Sequence, residues 1–363
     1  MGSSDRALRN SRDGRGANPP AKRKALFASI AVIMTVGLLV AAGELFLLVF
    51  NPQVSCFPRW EFSPEYGLVF PRNTTIVHKR PGRWEFRYTM NEYGCRGKAV
   101  PLSNAYDKTN VVVLGDSYAM GTAVADGEEF PAIIAQELGD QADVINTGIG
   151  GWGLTQQIRR FYAFGRLYDP AIVILQFCMN DPIENLDNRV TTVKNGRFVF
   201  HNSTHSKSIV MEFLSRSYIA QHSQLYIFFR NIQWQRGEKK ILARSVRTET
   251  GNSSHVSEPS QAETFYNELI EAFAVDLHAR GIYFLMISVQ GQLNKYPFIK
   301  GKVAELESKG LIDYVEVEDW LRNETDIRSP EGHWNSRAHA IVGRNLSRII
   351  KEQVLFSQRV QSW

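Results

Sequence analysis

The longest apolar run in the 363-residue chain is ALFASIAVIMTVGLLVAAGELFLLVF, residues 25–50, in which nineteen uncharged residues precede Glu44 and six apolar ones follow it. A bilayer span needs roughly 20 such residues, whereas a cleavable signal core has about 7–15. The run therefore predicts a single membrane-spanning signal anchor. Cleavage after Ala42, in the small-residue stretch VAAG, is the alternative. Beyond it, residues 51–108 are rich in aromatic residues and proline, and RWEFRYTMNEYGCRG suggests a hairpin.

From residue 110 the pattern changes to strand-length apolar runs separated by segments of helical period. VVVLG predicts a strand and residues 127–139 a helix; DVINTG predicts a strand and 154–167 a helix. AIVILQF has no polar alternation, as expected of a strand covered on both faces. Residues 183–260 interrupt the series with Asn- and Ser-rich sequence around MEFLSRSYIAQHSQLYIFFRNI. The alternation then resumes with a helix at 261–279, the strand IYFLMIS, a helix at 297–309, the strand IDYVEV and a helix at 336–355. This repetition implies a three-layer α/β domain on a parallel sheet, spanning 109–356, with a long insertion at about 183–260.

Charge refines the picture at one end. Residues 1–24 carry seven basic and two acidic side chains, which accounts for the whole net charge of +5; the remainder holds 35 of each sign. A neutral body disfavours nucleic acid as partner. The basic 1–24 tail fits the cytoplasmic side of a single-pass cell-membrane protein, placing the chain beyond residue 50 on the outside. In such a compartment Cys56 and Cys95 are candidates for a disulfide, while Cys178, at a strand end, reads as a small buried hydrophobe. No Cys-x-x-Cys pair occurs, and neither a metal nor a cofactor is expected.

Ligands of open parallel sheets bind beyond the carboxyl ends of the strands. The first strand end offers Gly115-Asp116-Ser117, and the second NTGIGGWG with Asn146 and Gly151. The third offers Asn180 and Asp181, and the last connection PEGHWN offers Glu331 and His333. These are the parts of a serine acyl-transfer site. A serine hydroxyl needs a base to take its proton, and imidazole titrates near working pH. Glu331, two positions before His333, can orient it, with Asp326 as an outside candidate. The Ser117 and Gly151 amides and the Asn180 side chain are the candidate oxyanion donors. Asp116, Asn146 and Asp181 are read as supporting hydrogen-bonding residues, and Trp152 and Trp334 as packing walls. GIGGWG follows the second strand with no acidic residue ending the next, which argues against a dinucleotide loop.

The four stretches resemble the blocks of the SGNH (GDSL-type) hydrolases, with Ser117, Gly151, Asn180 and His333 at the matching positions and in order. NEYGCRG resembles the lead-in of membrane-anchored bacterial members. The resemblance covers roughly residues 110–350 and implies a flavodoxin-like sheet and ester-hydrolysing activity without a cofactor. Two positions depart from the pattern: Pro330 stands where an Asp is frequent, and Cys178 where a glycine is usual. An α/β-hydrolase is the rival, since GDSYA approaches its nucleophile elbow. Ser117 follows the first strand of the series, however, and the carboxylate adjoins His333, both unlike that fold. The expectation is a membrane-anchored serine esterase acting on an ester substrate, with a glycan or a lipid as candidate carriers of the ester. An O-acyltransferase acting on a cell-surface glycan, and a catalytically silent binding or assembly protein, are the alternatives.

Overall fold

The computed structural model describes residues 21–53, 60–80, 84–102, 108–204, 222–233, 258–289 and 291–361. Its centre is a sheet of five parallel strands, β5 (Thr109–Leu114), β6 (Ala142–Asn146), β7 (Ile172–Phe177), β10 (Tyr283–Ser288) and β11 (Asp313–Glu316). The spatial order is β6-β5-β7-β10-β11, so the second strand of the series lies outside the first. That is the flavodoxin-like order, and its switch point falls between β5 and β7.

The period of two along β5 divides the core. Val112 and Leu114 face a cluster with α4 (Leu154–Ala163), α7 (Gln261–Ala279) and α8 (Pro297–Ser308). Val111 and Val113 face the opposite cluster, built with α3 (Phe130–Leu138) and α10 (Ser336–Gln361). All four valine and leucine positions are fully buried, which accounts for the absence of polar alternation. α7 starts at its expected residue because Ser260 and Glu263 cap it reciprocally: Ser260 Oγ accepts from the Glu263 amide at 3.2 Å, and the Ser260 amide donates back to Glu263 Oε2 at 3.0 Å.

The segment before the sheet forms two antiparallel pairs, β1 (Glu61–Ser63) with β2 (Gly67–Val69) and β3 (Thr74–Arg80) with β4 (Trp84–Met90). The expected hairpin within residues 83–97 is thus displaced: its strand 84–90 forms, but pairs upstream with 74–80. Asn91 explains why the chain does not fold straight back. Its Oδ1 accepts from the Tyr93 and Cys95 amides at 2.9 and 3.1 Å and closes a tight turn, leaving only a Met90–Arg96 bridge. Tyr66, Phe70, Ile76, Tyr88 and Met90 from this segment pack on Met120, Ile149 and Trp152, against the strand-end loops.

The expected polar interruption begins as ordered structure. α5 (Asp181–Asp187) is followed by a hairpin of β8 (Thr191–Lys194) and β9 (Arg197–Phe200), whose Val193 and Phe198 pack against the core. A helix, α6, covers residues 224–233. At the N-terminal end α1 (Ala21–Phe50) is long and apolar enough to cross a membrane, with a mean hydropathy of 2.5 over its best window and none of that window buried. Residues 1–20 and Cys56, with its expected disulfide to Cys95, lie outside the described residues.

Candidate active site

Ser117 is the first residue of α2 (Ser117–Met120), reached through a glycine that no other residue could replace without strain. Gly115 has φ +157°, and a Cβ there would sit 2.6 Å from Gln176 Oε1 and 2.7 Å from Ala119 Cβ. Two side chains fix the turn. Asp116 Oδ1 accepts from the Tyr118 amide at 3.1 Å and caps α2. Gln176 Oε1, fully buried on β7, accepts from the Asp116 and Ala119 amides, both at 3.1 Å. A third group holds the other end of α2. The buried Arg96 guanidinium donates to the carbonyls of Met120 (3.0 Å), Gly121 and Val124 (2.7 Å), and pairs with Glu129 at 3.6 Å and Asp126 at 3.4 Å. Burial raises the Glu129 carboxyl above its ordinary range, opposed by the Arg96 charge.

His333 lies in the connection that leads into α10, two residues before Asn335, whose Oδ1 accepts from the Ala338 amide at 3.1 Å and caps that helix. The loop is tight: the Ser329 amide donates to the His333 carbonyl at 2.8 Å and the Gly332 amide to the Ser329 carbonyl at 3.0 Å. His333 Nε2 stands 2.8 Å from Ser117 Oγ, joining residues 216 positions apart. On the other side Nδ1 lies 2.8 Å from Glu331 Oε1. Neither of these two atoms meets hydrogen-bond geometry, so the contact is a close approach rather than an aligned hydrogen bond. The Tyr118 ring lies 4.8 Å from the imidazole and 4.9 Å from Trp334, which is wholly buried, as is nearly all of Trp152. Asp326 is exposed, and its carbonyl accepts from Asn335 Nδ2 at 2.7 Å; nothing described brings its carboxylate to His333.

The loop after β6 passes beside the serine. A Cβ on Gly150 would lie 3.5 Å from Ser117 Cβ, and Gly151, at φ +77°, has open space where its side chain would be. Asn146 ties this loop to the serine turn, donating to the Ala119 carbonyl at 2.9 Å and accepting from the Gly148 amide at 3.0 Å. Asn180 immediately precedes α5, and Asp181 Oδ2 accepts from the Cys178 amide at 3.0 Å. Burial, reinforced by Asp116, pushes the Asp181 carboxyl well up, and the same causes raise Glu184 to about 7. The neighbouring Asn180 side chain opposes that rise. A cavity of about 180 Å³ opens here, lined by Trp60, Gly150, Gly151, Trp152, Glu184 and Asp187 among others.

The structure thus joins Ser117, His333 and Glu331 directly. It sets Gly151 in the loop after β6 next to Gly150, which adjoins the serine, and Asn180 beyond the end of β7. Asp116, Asn146 and Asp181 make hydrogen bonds within these loops. Sequence reasoning missed Gln176, Arg96 and Glu184. Gln176 carried a signal, a lone polar residue in an apolar strand; the partners of Arg96 and Glu184 exist only in three dimensions. It also missed His78, buried on β3 edge-on to Trp84, whose imidazole is held below its ordinary pKa by burial. His201 and His205 stand four apart, a spacing paired metal ligands use; His201 bonds Thr192 Oγ1 at 2.8 Å and His205 lies outside the described residues. Among the described residues no group of three or more His, Cys, Asp or Glu side chains is placed to hold a metal ion.

No protein-family model matches the chain, and no curated protein matches it. Solved structures similar to it include a protein described as lipolytic and of the G-D-S-L family from Desulfitobacterium hafniense, at 15% identity and TM-score 0.39 over 67% of this chain and 99% of that one. Others are a carbohydrate acetylesterase family member from Sinorhizobium meliloti (12%, TM-score 0.37, 67% and 98%) and the psychrotrophic esterase EstA from Pseudoalteromonas sp. (11%, 0.38, 68% and 99%). Likeness at this level carries no information about activity or substrate.

Proposed function

We propose that the chain is a membrane-anchored serine esterase. One observation carries the reading: a serine hydroxyl on a braced strand-end turn, 2.8 Å from an imidazole that has a carboxylate 2.8 Å from its other nitrogen. In the proposed reaction His333 Nε2 takes the Ser117 proton as Oγ adds to the ester carbonyl. Negative charge on the former carbonyl oxygen is met by the Ser117 and Gly151 amides and the Asn180 side chain. The intermediate collapses, the alkoxide leaves with the proton held by His333, and an acyl-serine remains. Water, deprotonated by His333, then releases the acid and restores the hydroxyl. Glu331 stabilises the imidazolium formed in each half. The anchor is α1, with the basic tail cytoplasmic and the α/β domain outside.

The test is hydrolysis of an activated acetyl ester by the full-length chain in detergent, with and without an oligosaccharide acceptor. Acetate release that disappears in Ser117→Ala supports the esterase. Acetylated oligosaccharide in place of acetate would redirect the second half-reaction to transfer, and turnover unchanged in Ser117→Ala would overturn the reading.

A further inference from the structure

We propose that α6, inside the long insertion, lies in the outer membrane interface as a second lipid contact, tethered there by Glu44 of α1; this rests on reading α1 as the anchor. Glu44 is the one charge in the 25–50 run, and the structure gives it a task. Its carboxylate accepts from Ser223 Oγ, from the Gln224 amide at 2.7 Å and from the Leu225 amide at 3.4 Å. Those amides open α6 and have no partner within the helix, and a negative charge at this end is favoured. Gln224 Oε1 accepts in turn from the Gln53 amide at 2.5 Å, just past the end of α1. The two helices meet closely: a Cβ on Gly43 would lie 3.2 Å from a Leu225 methyl carbon. Leu47, one turn on, is 7% exposed while its neighbours Phe46 and Leu48 are 59% and 57% exposed.

Depth follows from helix geometry. Nineteen uncharged residues before Glu44 rise about 28 Å, close to the roughly 30 Å of a hydrocarbon core. The first turn of α6 therefore falls at the outer boundary of the hydrocarbon, where interfacial helices bury an apolar face by about 5–10 Å. The sidedness of α6 matches this position. Ile227 and Asn231, four apart, are buried, whereas Phe229, nearly opposite on the helical wheel, is 63% exposed. An outward phenylalanine at that depth meets acyl chains. The ten residues from Phe50 to Trp60 reach at most about 36 Å, so the cavity beside Gly151 stays near the bilayer surface.

The test places a fluorescent amino acid at position 229 of the full chain in phosphatidylcholine nanodiscs and measures quenching by lipids brominated near the headgroup. The same probe at Val40, half exposed on α1 one turn before Glu44, reports the anchor, and at Val275, exposed on α7, the domain surface. Loss of fluorescence at 229 comparable to that at 40, and well above that at 275, is the expected result. Glu44→Ala should abolish the loss at 229 and leave it at 40, while Glu44→Gln, which still accepts hydrogen bonds, should retain much of it. Quenching at 40 but not at 229 would overturn the interfacial α6 and leave the anchor standing. Absence of quenching at 40 would overturn the anchor itself. Quenching at 229 that ignores Glu44→Ala would overturn the tether.

Discussion

At the scale of single residues, Asn180 and Glu331 separate two kinds of contribution. Asn180 is proposed to donate to an oxyanion that exists only after the serine has added. Asn180→Ala should therefore lower kcat by about 10²–10³-fold with little change in KM, read from steady-state ester hydrolysis. Glu331 stands at 2.8 Å from His333 Nδ1 without hydrogen-bond alignment, so it acts through its charge more than by fixing a tautomer. Glu331→Gln should cost about 10²-fold in kcat/KM, short of the roughly 10⁴-fold that follows when a triad carboxylate sets the tautomer. A loss as large as that of Ser117→Ala would show that the carboxylate aligns in the reacting complex. The proposed site residues were legible in the sequence because Ser117, Gly151 and Asn180 stand in short runs just past apolar strands and His333 in a short run just before the last helix. Arg96 was not, since its role is set by partners it finds only across the fold, and Gln176 showed only as a lone polar residue in an apolar strand, its partners unseen.

Among the elements, α2 is too short to hold itself, and its position depends on what grips it. Arg96 provides three carbonyl contacts at its far end and compensates the buried Glu129. Arg96→Met leaves that carboxylate uncompensated in the core and should destabilise the protein by about 3–5 kcal/mol, measured by denaturant unfolding. An unchanged unfolding midpoint would show that the loop repacks without the guanidinium. The strands β5, β7 and β10 were legible because burial on both faces leaves no polar alternation to obscure them. The pairing of β3 with β4 was not, because Asn91 closes a turn where the sequence pattern implied continuation. The β8–β9 hairpin was hidden inside a stretch whose overall polarity outweighed the short alternation of TTVK and RFVF, while α6 falls almost wholly within the apolar segment MEFLSRSYIAQHSQLYIFFRNI, to which the sequence pattern assigned no element.

For the whole molecule, α10 closes one face of the sheet around a buried histidine. Burial holds His339 down at about 3, and its Nδ1 accepts from the Phe130 amide at 3.1 Å. The unfolded chain binds this proton near pH 6.5 and the folded one does not, so this contribution to stability is complete above that pH and declines as pH falls toward 3. His339→Asn, which keeps an acceptor and cannot titrate, should gain on the parent by about 1.4 kcal/mol per pH unit across that window, measured as the difference in unfolding free energy. Parallel pH dependences for the two proteins would contradict the neutral buried imidazole. The flavodoxin-like order places Ser117 and Asn180 on adjacent strands at the switch point, while His333 arrives from the far end of the chain. That convergence gives the most direct test of the account. The intact protein is treated with a fluorophosphonate probe, and the adduct is located by peptide mass spectrometry. A covalent phosphonyl group on Ser117, lost in His333→Ala, is the result the account predicts; an unlabelled Ser117, or labelling indifferent to His333, would contradict it.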